Sequence, residues 1–268
     1  MAWYPGAQKR ELQPESDAQE RIRPTQLIIH SIAAPWTPGR IYEYWRDSTN
    51  LESHFGVGFN GAIAQFIGTE TRADSNMYAN RRSDGTGAVS VETASNLKHT
   101  DPWTPAQVAT LVALGAWMHK HHGVPLRVCR SHTDPGFGIH RMYPQWSDGG
   151  TACPGDARAR QFREVVFPGI VKAAGGKPPK PSKYAPFPGA AFFKTEPKSP
   201  LVTAMGKRLV AEGCGRYVSG PGPQWTDADR RSYAAWQRKR GFSGADADGW
   251  PGKTTWDALK VPMLRNSR

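Results

Sequence analysis

Residues 25–30 read Thr-Gln-Leu-Ile-Ile-His, an apolar run that stops on a histidine. A run of this length and composition fits a buried strand, and it delivers His30 at the strand's end. Just beyond, Thr37-Pro38 marks a helix start, with threonine as the cap and proline at the first helical position. Ile41, Tyr44 and Trp45 follow at i, i+3 and i+4, which puts them on one face. Residues 53–67, SHFGVGF-NG-AIAQFI, read as a hairpin in which Asn60-Gly61 supplies the positive φ angles of a tight type I′ turn. Residues 68–87 are polar and read as a long surface loop, the kind that often carries function. GAVSVET (87–93) is a third strand, with Val89 and Val91 on one face and Ser90 and Glu92 on the other.

Thr104-Pro105 opens the strongest helical pattern. Val108, Leu111, Val112 and Gly115 form one stripe, and Gly123 ends it. PLRVC (125–129) reads as a short strand, 131–155 as irregular, and 156–172 as a helix. Residues 1–24 are a polar lead-in to a domain spanning 25–173. The composition changes over 174–199, where GGKPPKPSKYAPFPG (175–189) has the makings of an extended linker. Residues 200–264 form a small three-helix unit. Its helices run from Leu201 to Glu212, from Thr226 (with Asp229 three residues on as a capping-box partner), and from a cap at Thr254 with Asp257 three residues on.

The chain has 268 residues, enough for two domains, and 35 lysines and arginines against 23 aspartates and glutamates, a net charge of +12. A basic protein seeks a polyanion: nucleic acid, anionic membrane or anionic wall polymer. The charges are dispersed and no helix-turn-helix or RNA-binding signature occurs, so nucleic acid is not an expected partner. No apolar run approaches the roughly 18 residues of a membrane span. The first 24 residues lack the apolar core of a signal peptide, so synthesis in a cytoplasm and release by another agent are expected. Three cysteines, Cys129, Cys153 and Cys214, are too few and too scattered for a disulfide framework.

Three residues stand out chemically. His30 ends a strand, while His140 and Cys153 flank the segment GIHRMYPQWSDGGTACPGD (138–156). Imidazole nitrogen and thiolate sulfur are ligands that zinc prefers, and three protein ligands leave a fourth position for water. On pattern alone His132, in SHTDP, competes with His140. His119, His121 and His122 sit at a helix end, where cations suit the helix dipole. Cys129 and Cys214 read as buried thiols. Glu92 is on the polar face of its strand, where it would be either functional or simply solvated. Trp36, Trp103 and Trp146 lie in or beside loops; they could stack on sugar rings or fill the core.

The order of these pieces resembles the type 2 N-acetylmuramoyl-L-alanine amidases, a family that includes phage endolysins and peptidoglycan recognition proteins. The likeness rests on LIIH, on the 53–67 hairpin, on VSVETASN, on the helix in PWTPAQVATLVALGAWM, and most specifically on GIHRMY followed by TACPGD. It covers about residues 25–172. It implies an α/β fold with a mixed central β-sheet flanked by helices, and one Zn2+ ion held by His30, His140 and Cys153. It implies hydrolysis of the amide between N-acetylmuramic acid and L-alanine by zinc-activated water, with Glu92 as the acid–base group. Many members carry a lysine two residues before the third ligand; here that position is Thr151, implied as a weaker oxyanion partner. Ser53 stands where some members have a catalytic tyrosine. Trp36, His54, Asn80 and Arg81, with Asn76 in the same loop, are candidates to contact the glycan strand or stem peptide.

Residues 200–264 are similar to small peptidoglycan-binding domains. The resemblance is carried by AAWQRKRGF (234–242) and by DADGWPGKTTWDAL (246–259), with Asp248, Gly249, Gly252 and Thr254 at the motif positions. The glycines serve a turn; the spaced carboxylates and closing Glu of a calcium loop are missing. Expected partners are peptidoglycan and anionic wall polymers, bound by a monomer. The competing readings are a non-catalytic peptidoglycan receptor of the same fold, a zinc peptidase cutting the stem peptide, and a nucleic-acid binder.

Overall fold

The computed structural model describes residues 2–46, 51–176, 183–185 and 187–264. The chain divides into two compact units, Met1–Pro179 and Lys180–Arg268. No helix among the described residues is long and apolar enough to cross a membrane.

The first unit is built on six strands: β1 (Gln8–Lys9), β2 (Arg23–Ile29), β3 (Phe55–Val57), β4 (Ile63–Gln65), β5 (Thr86–Thr93) and β6 (Gly136–Ile139), in the spatial order β1-β4-β3-β5-β2-β6. Only β3 and β4 pair antiparallel; every other neighbour is parallel, so the sheet is mixed. Its helices are α1 (Glu15–Ala18), α2 (Pro38–Arg46), α3 (Pro105–His122), α4 (Asp156–Gln161) and α5 (Phe167–Ala173), the last two joined by a π-helical turn over Phe162–Val166. Pro168 has no N–H to donate back along this helix, which accounts for the break in what reads as one segment.

Period-two alternation sorts β2 and β5 onto two buried faces. Leu27, Ile29, Val89 and Val91 join Phe55, Val57, Phe137 and Ile139 under α3 and α5, against Leu111, Leu114, Met118, Phe167 and Ile170. Burying such side chains is worth about 1.5–3 kcal/mol each. Gly115 lets α3 and α5 approach, since a Cβ there would lie 2.5 Å from Ile170. Thr104 and Gln107 cap α3 reciprocally and Gly123 closes it at φ +69°. The other face holds Ile28, Ala88, Cys129 and Trp146 in one cluster and Ile41, Trp45 and Phe66 in another.

Several expectations are corrected. The hairpin exists, with Phe55 opposite Gln65, but its turn has one positive φ, at Gly61 (+81°), rather than two. Gly61 N donates to Gly58 O and Gly58 N to Ala62 O, a three-residue loop, and Thr104, the cap of α3, and Thr110 within it donate to the carbonyls of Phe59 and Gly61. Tyr44 leaves the buried face of α2, is 49% exposed, and packs on Trp36 at 5.1 Å. PLRVC forms only a single bridge, Val128 to Phe137. The strand beside β2 is instead GFGI, where the glycines hide the alternation that turns Phe137 and Ile139 inward. The lead-in is not outside the domain: β1 extends the sheet, Leu12 is buried and Tyr4 packs on Phe55.

The second unit contains α6 (Ala190–Lys194), α7 (Pro200–Ala211), α8 (Asp227–Lys239) and α9 (Lys253–Leu259). Phe193, Val202, Met205, Leu209, Trp225, Tyr233, Trp236, Trp256 and Leu259 form its core. The expected linker thus contributes at its second half, since α6 supplies Phe193 and Ala185 O accepts from Trp256 Nε1 at 2.8 Å. Within 200–264 the three expected helices are present as α7, α8 and α9, and α6 precedes them. Asp229 Oδ2 accepts from Thr226 N and Oγ1, as a capping partner should. Thr254 lies inside α9, whose cap is Gly252.

Candidate active site

Parallel register brings the site together. Ile29 of β2 is level with Val91 of β5 and with Ile139 of β6. The next residue of each chain segment is therefore His30, Glu92 and His140, a row across three adjacent strand ends. The row lies at the carboxyl ends of these strands, where open parallel sheets bind ligands. The His30 and His140 rings lie 4.1 Å apart, and Glu92 Oε1 is 3.7 Å from His30 Nδ1.

Cys153 arrives by a loop. Its carbonyl accepts from Arg141 N at 2.9 Å, and its Sγ accepts from Ser31 N at 3.1 Å. Thr151 Oγ1 accepts from Cys153 N at 3.1 Å, bracing the turn. Gly155, at φ +98°, sits where a side chain would collide with the carbonyl of His99. The outcome is a cluster of His30, His140 and Cys153 with ligand atoms all within 4.8 Å of one another, the only such group of His, Cys, Asp or Glu among the described residues. His132 is not part of it; its carbonyl accepts from Gln26, Arg82 and Trp146.

The residues fit a metal. His30 Nε2 lies 2.8 Å from Asn76 Oδ1, and His140 Nε2 lies 2.8 Å from Trp146 O. Each carbonyl-type oxygen accepts the Nε2 proton, which leaves both Nδ1 lone pairs for an ion. Burial, then the neighbouring His140 charge, hold His30 well below the usual imidazole range, and burial lowers His140 as well; neutral imidazole is the ligating form. Burial pushes the Cys153 thiol up in the free protein, with the Glu92 charge adding to it. A cation would reverse that logic, because a coordinated thiol loses its proton.

Glu92 is mostly buried, and its Oε2 has no hydrogen-bond partner among the described residues. Burial pushes its carboxyl up to about 8, and the Arg158 charge offsets this only in part. A carboxyl near neutrality is suited to both accepting and returning a proton.

Other candidates fall elsewhere. His54 is fully buried; Nε2 donates to Thr71 O at 2.9 Å and Nδ1 accepts from Ser90 N at 3.1 Å, so it ties β3 to β5 and cannot reach a substrate. Asn80 is also buried, its Oδ1 accepting from Asn76 N, so it supports the residue that orients His30. Arg81 turns to Glu20 and Arg21 O. Trp36 stays partly exposed, with Arg40 over its ring at 5.0 Å. Trp103 and Trp146 are core residues, at 2% and 0% exposure, and cannot stack on sugars.

Sequence reasoning missed Arg158. Fully buried, it pairs with Asp101 at 2.8 Å and donates to Thr93 Oγ1, Ser31 Oγ and Ala94 O behind the site. The helical pattern DARARQ gives no hint which arginine turns inward.

Two solved structures illustrate what the chain is similar to. The N-acetylmuramoyl-L-alanine amidase LysC from Clostridium intestinale URNW aligns at 15% identity and TM-score 0.43, over 63% of this chain and 99% of that one. A mutant endolysin from Bacillus subtilis aligns at 14% identity and TM-score 0.44, over 63% and 99% respectively. No curated protein matches. The profile described as N-acetylmuramoyl-L-alanine amidase (Amidase_2) matches residues 20–156, just over half of the chain and all of the row from His30 through Glu92 and His140 to Cys153. The chain belongs to the N-acetylmuramoyl-L-alanine amidase family.

Proposed function

We propose that this protein is an endolysin that hydrolyses the amide between N-acetylmuramic acid and L-alanine in peptidoglycan, using one Zn2+ ion held by His30, His140 and Cys153. The observation that carries this reading is the convergence of two oriented imidazoles and a thiol within 4.8 Å, with the Glu92 carboxyl 3.7 Å from one of those imidazoles. A bound zinc ion supplies a Lewis acid and lowers the pKa of its water toward about 7.

The chain's own residues supply the rest. Glu92 takes the proton of the attacking water at a carboxylate oxygen and returns it to the leaving nitrogen, which could not depart as an anion. Thr151 offers a hydroxyl proton, with its oxygen lone pair already engaged by Cys153 N, and so can donate to the developing oxyanion. Asn76 and the Trp146 carbonyl hold the two imidazoles in the required tautomer. Trp36, on the partly exposed surface, is the remaining candidate for glycan contact.

The second unit is proposed to hold the enzyme on the wall by raising its effective concentration there. Such an enzyme acts outside the membrane, after release. The presence of Cys153 in the cluster favours an enzyme over a receptor that lacks the third ligand. Digestion of purified walls followed by mass spectrometry tests the reading. Intact stem peptides with a free L-alanine amine should appear, and should vanish with chelator and return with zinc. Cleavage inside the stem peptide, or lysis indifferent to chelator, would overturn it.

A further inference from the structure

The second unit carries a groove that the amidase reading does not use. A cavity of about 300 Å³ opens along α8 against the turn at 244–248. It is lined by Arg230, Arg231 and Arg238 together with Asp227 and Asp248. Ala234 of α8 and Ala247 of the turn also line it, and both are buried.

The placement follows from helical period. Asp227, Arg231, Ala234 and Arg238 recur at i, i+4, i+7 and i+11, one stripe of α8, with Arg230 beside it. The unit's ion pairs engage Arg208, Lys239 and Lys253 with Glu212 and Asp257. Arg231 and Arg238 form no ion pair with a described residue. Arg230 is held in place: its guanidinium lies over the Trp250 ring at 4.8 Å, and its Nε donates to Asp248 O at 3.1 Å. Trp250 is itself stacked on Trp225, whose ring is in the core. Residues 183–264 hold thirteen lysines and arginines against seven aspartates and glutamates, so the groove lies in a positive field.

We propose that this groove binds a linear phosphodiester polymer of the bacterial cell wall. This rests on the wall-hydrolase reading for its choice of surroundings. The chemistry argues for a repeating anion. Guanidinium forks match phosphate oxygens in a bidentate manner. Arg231 and Arg238 are seven residues apart, about 10 Å along a helix. One carboxylate, such as the end of a stem peptide, cannot reach both. A chain with a charge on every repeat can. Asp227 opposes such a ligand at one end and limits affinity there.

The test uses the full chain and two probes: a short synthetic poly(glycerol phosphate), and purified walls before and after hydrofluoric acid removes their phosphodiester polymers. The double variant R231Q/R238Q should bind the soluble polymer about tenfold more weakly at low salt, with a shallower salt dependence. Its retention on untreated walls should fall to the level the unaltered protein shows on stripped walls. D227N should bind more tightly. Cleavage of a soluble muramoyl peptide and the melting temperature should be unchanged in all three proteins. Equal binding of stripped and untreated walls, or a double variant that binds the polymer like the unaltered protein, would overturn the proposal. Failure to cleave the muramoyl peptide would count against the amidase reading alone, since polymer binding is read separately.

Discussion

The Nε2 of His30 lies 2.8 Å from Asn76 Oδ1, and Asn76 is itself fixed by Asn80, whose Oδ1 accepts from its backbone N–H. A loop residue 46 positions downstream thus sets the orientation of an imidazole on a central strand. Asn76→Ala should keep the fold and bind zinc about 10–100-fold more weakly, the usual cost of losing such an orienting partner. A titration against a competing chelator would read this directly. Unchanged affinity would mean that packing alone orients His30.

The role proposed for Glu92 is to move protons rather than to hold the ion. Glu92→Gln preserves the shape of the side chain but removes the base. Zinc stoichiometry should stay at one per chain while the hydrolysis rate drops about 10²–10⁴-fold. Metal analysis and muropeptide release on the same sample separate the two effects, and retained activity would remove Glu92 from the mechanism.

Burial lowers His54 from its ordinary 6.5 to about 4, so it is neutral in the fold and charged in the unfolded chain below pH 6.5. The unfolded state then binds the extra proton, and stability falls as the pH drops from 6.5 toward 4. Between neutrality and pH 5 this one group should cost about 2 kcal/mol. Denaturant unfolding at the two pH values should show that loss in the unaltered protein. In His54→Gln the loss should shrink by that amount, even if the variant is less stable at neutrality. Equal losses in both proteins would refute the assignment.

Gly155 adopts φ +98°, and a Cβ there would collide with the His99 carbonyl. Gly155→Ala should destabilise the protein by at least the roughly 1–3 kcal/mol expected of such backbone strain. Because Cys153 is two residues away, zinc affinity should fall as well. A variant with an unaltered melting temperature and zinc affinity would show that the loop can relax without cost.

Much of the candidate site is legible because strand ends and candidate ligands coincide locally. LIIH shows both a buried strand and the residue at its end, while VSVETA shows the strand and the family resemblance singles out Glu92 on it. The misreadings share one cause. Asn80, His54 and Trp146 are polar or amphipathic residues in or beside loops, and sequence context cannot show which of them the fold turns inward. Arg158 is the converse: a charged helical residue whose burial depends on Asp101, 57 positions away.

From the sequence alone came the strand-and-helix alternation, because hydrophobic period is a local property, and, through the family resemblance, His30, His140, Cys153 and Glu92 as the candidate ligands and acid. The tertiary structure alone decided that β6 lies beside β2 in parallel register, so that His30, Glu92 and His140 fall in one row. It also decided which carbonyl-type oxygens fix the two imidazoles, and that the turn at 244–248 closes a groove against the arginine stripe of α8. The strand register and the His30–Asn76 contact pair segments distant along the chain, set by packing rather than by any residue's own preference.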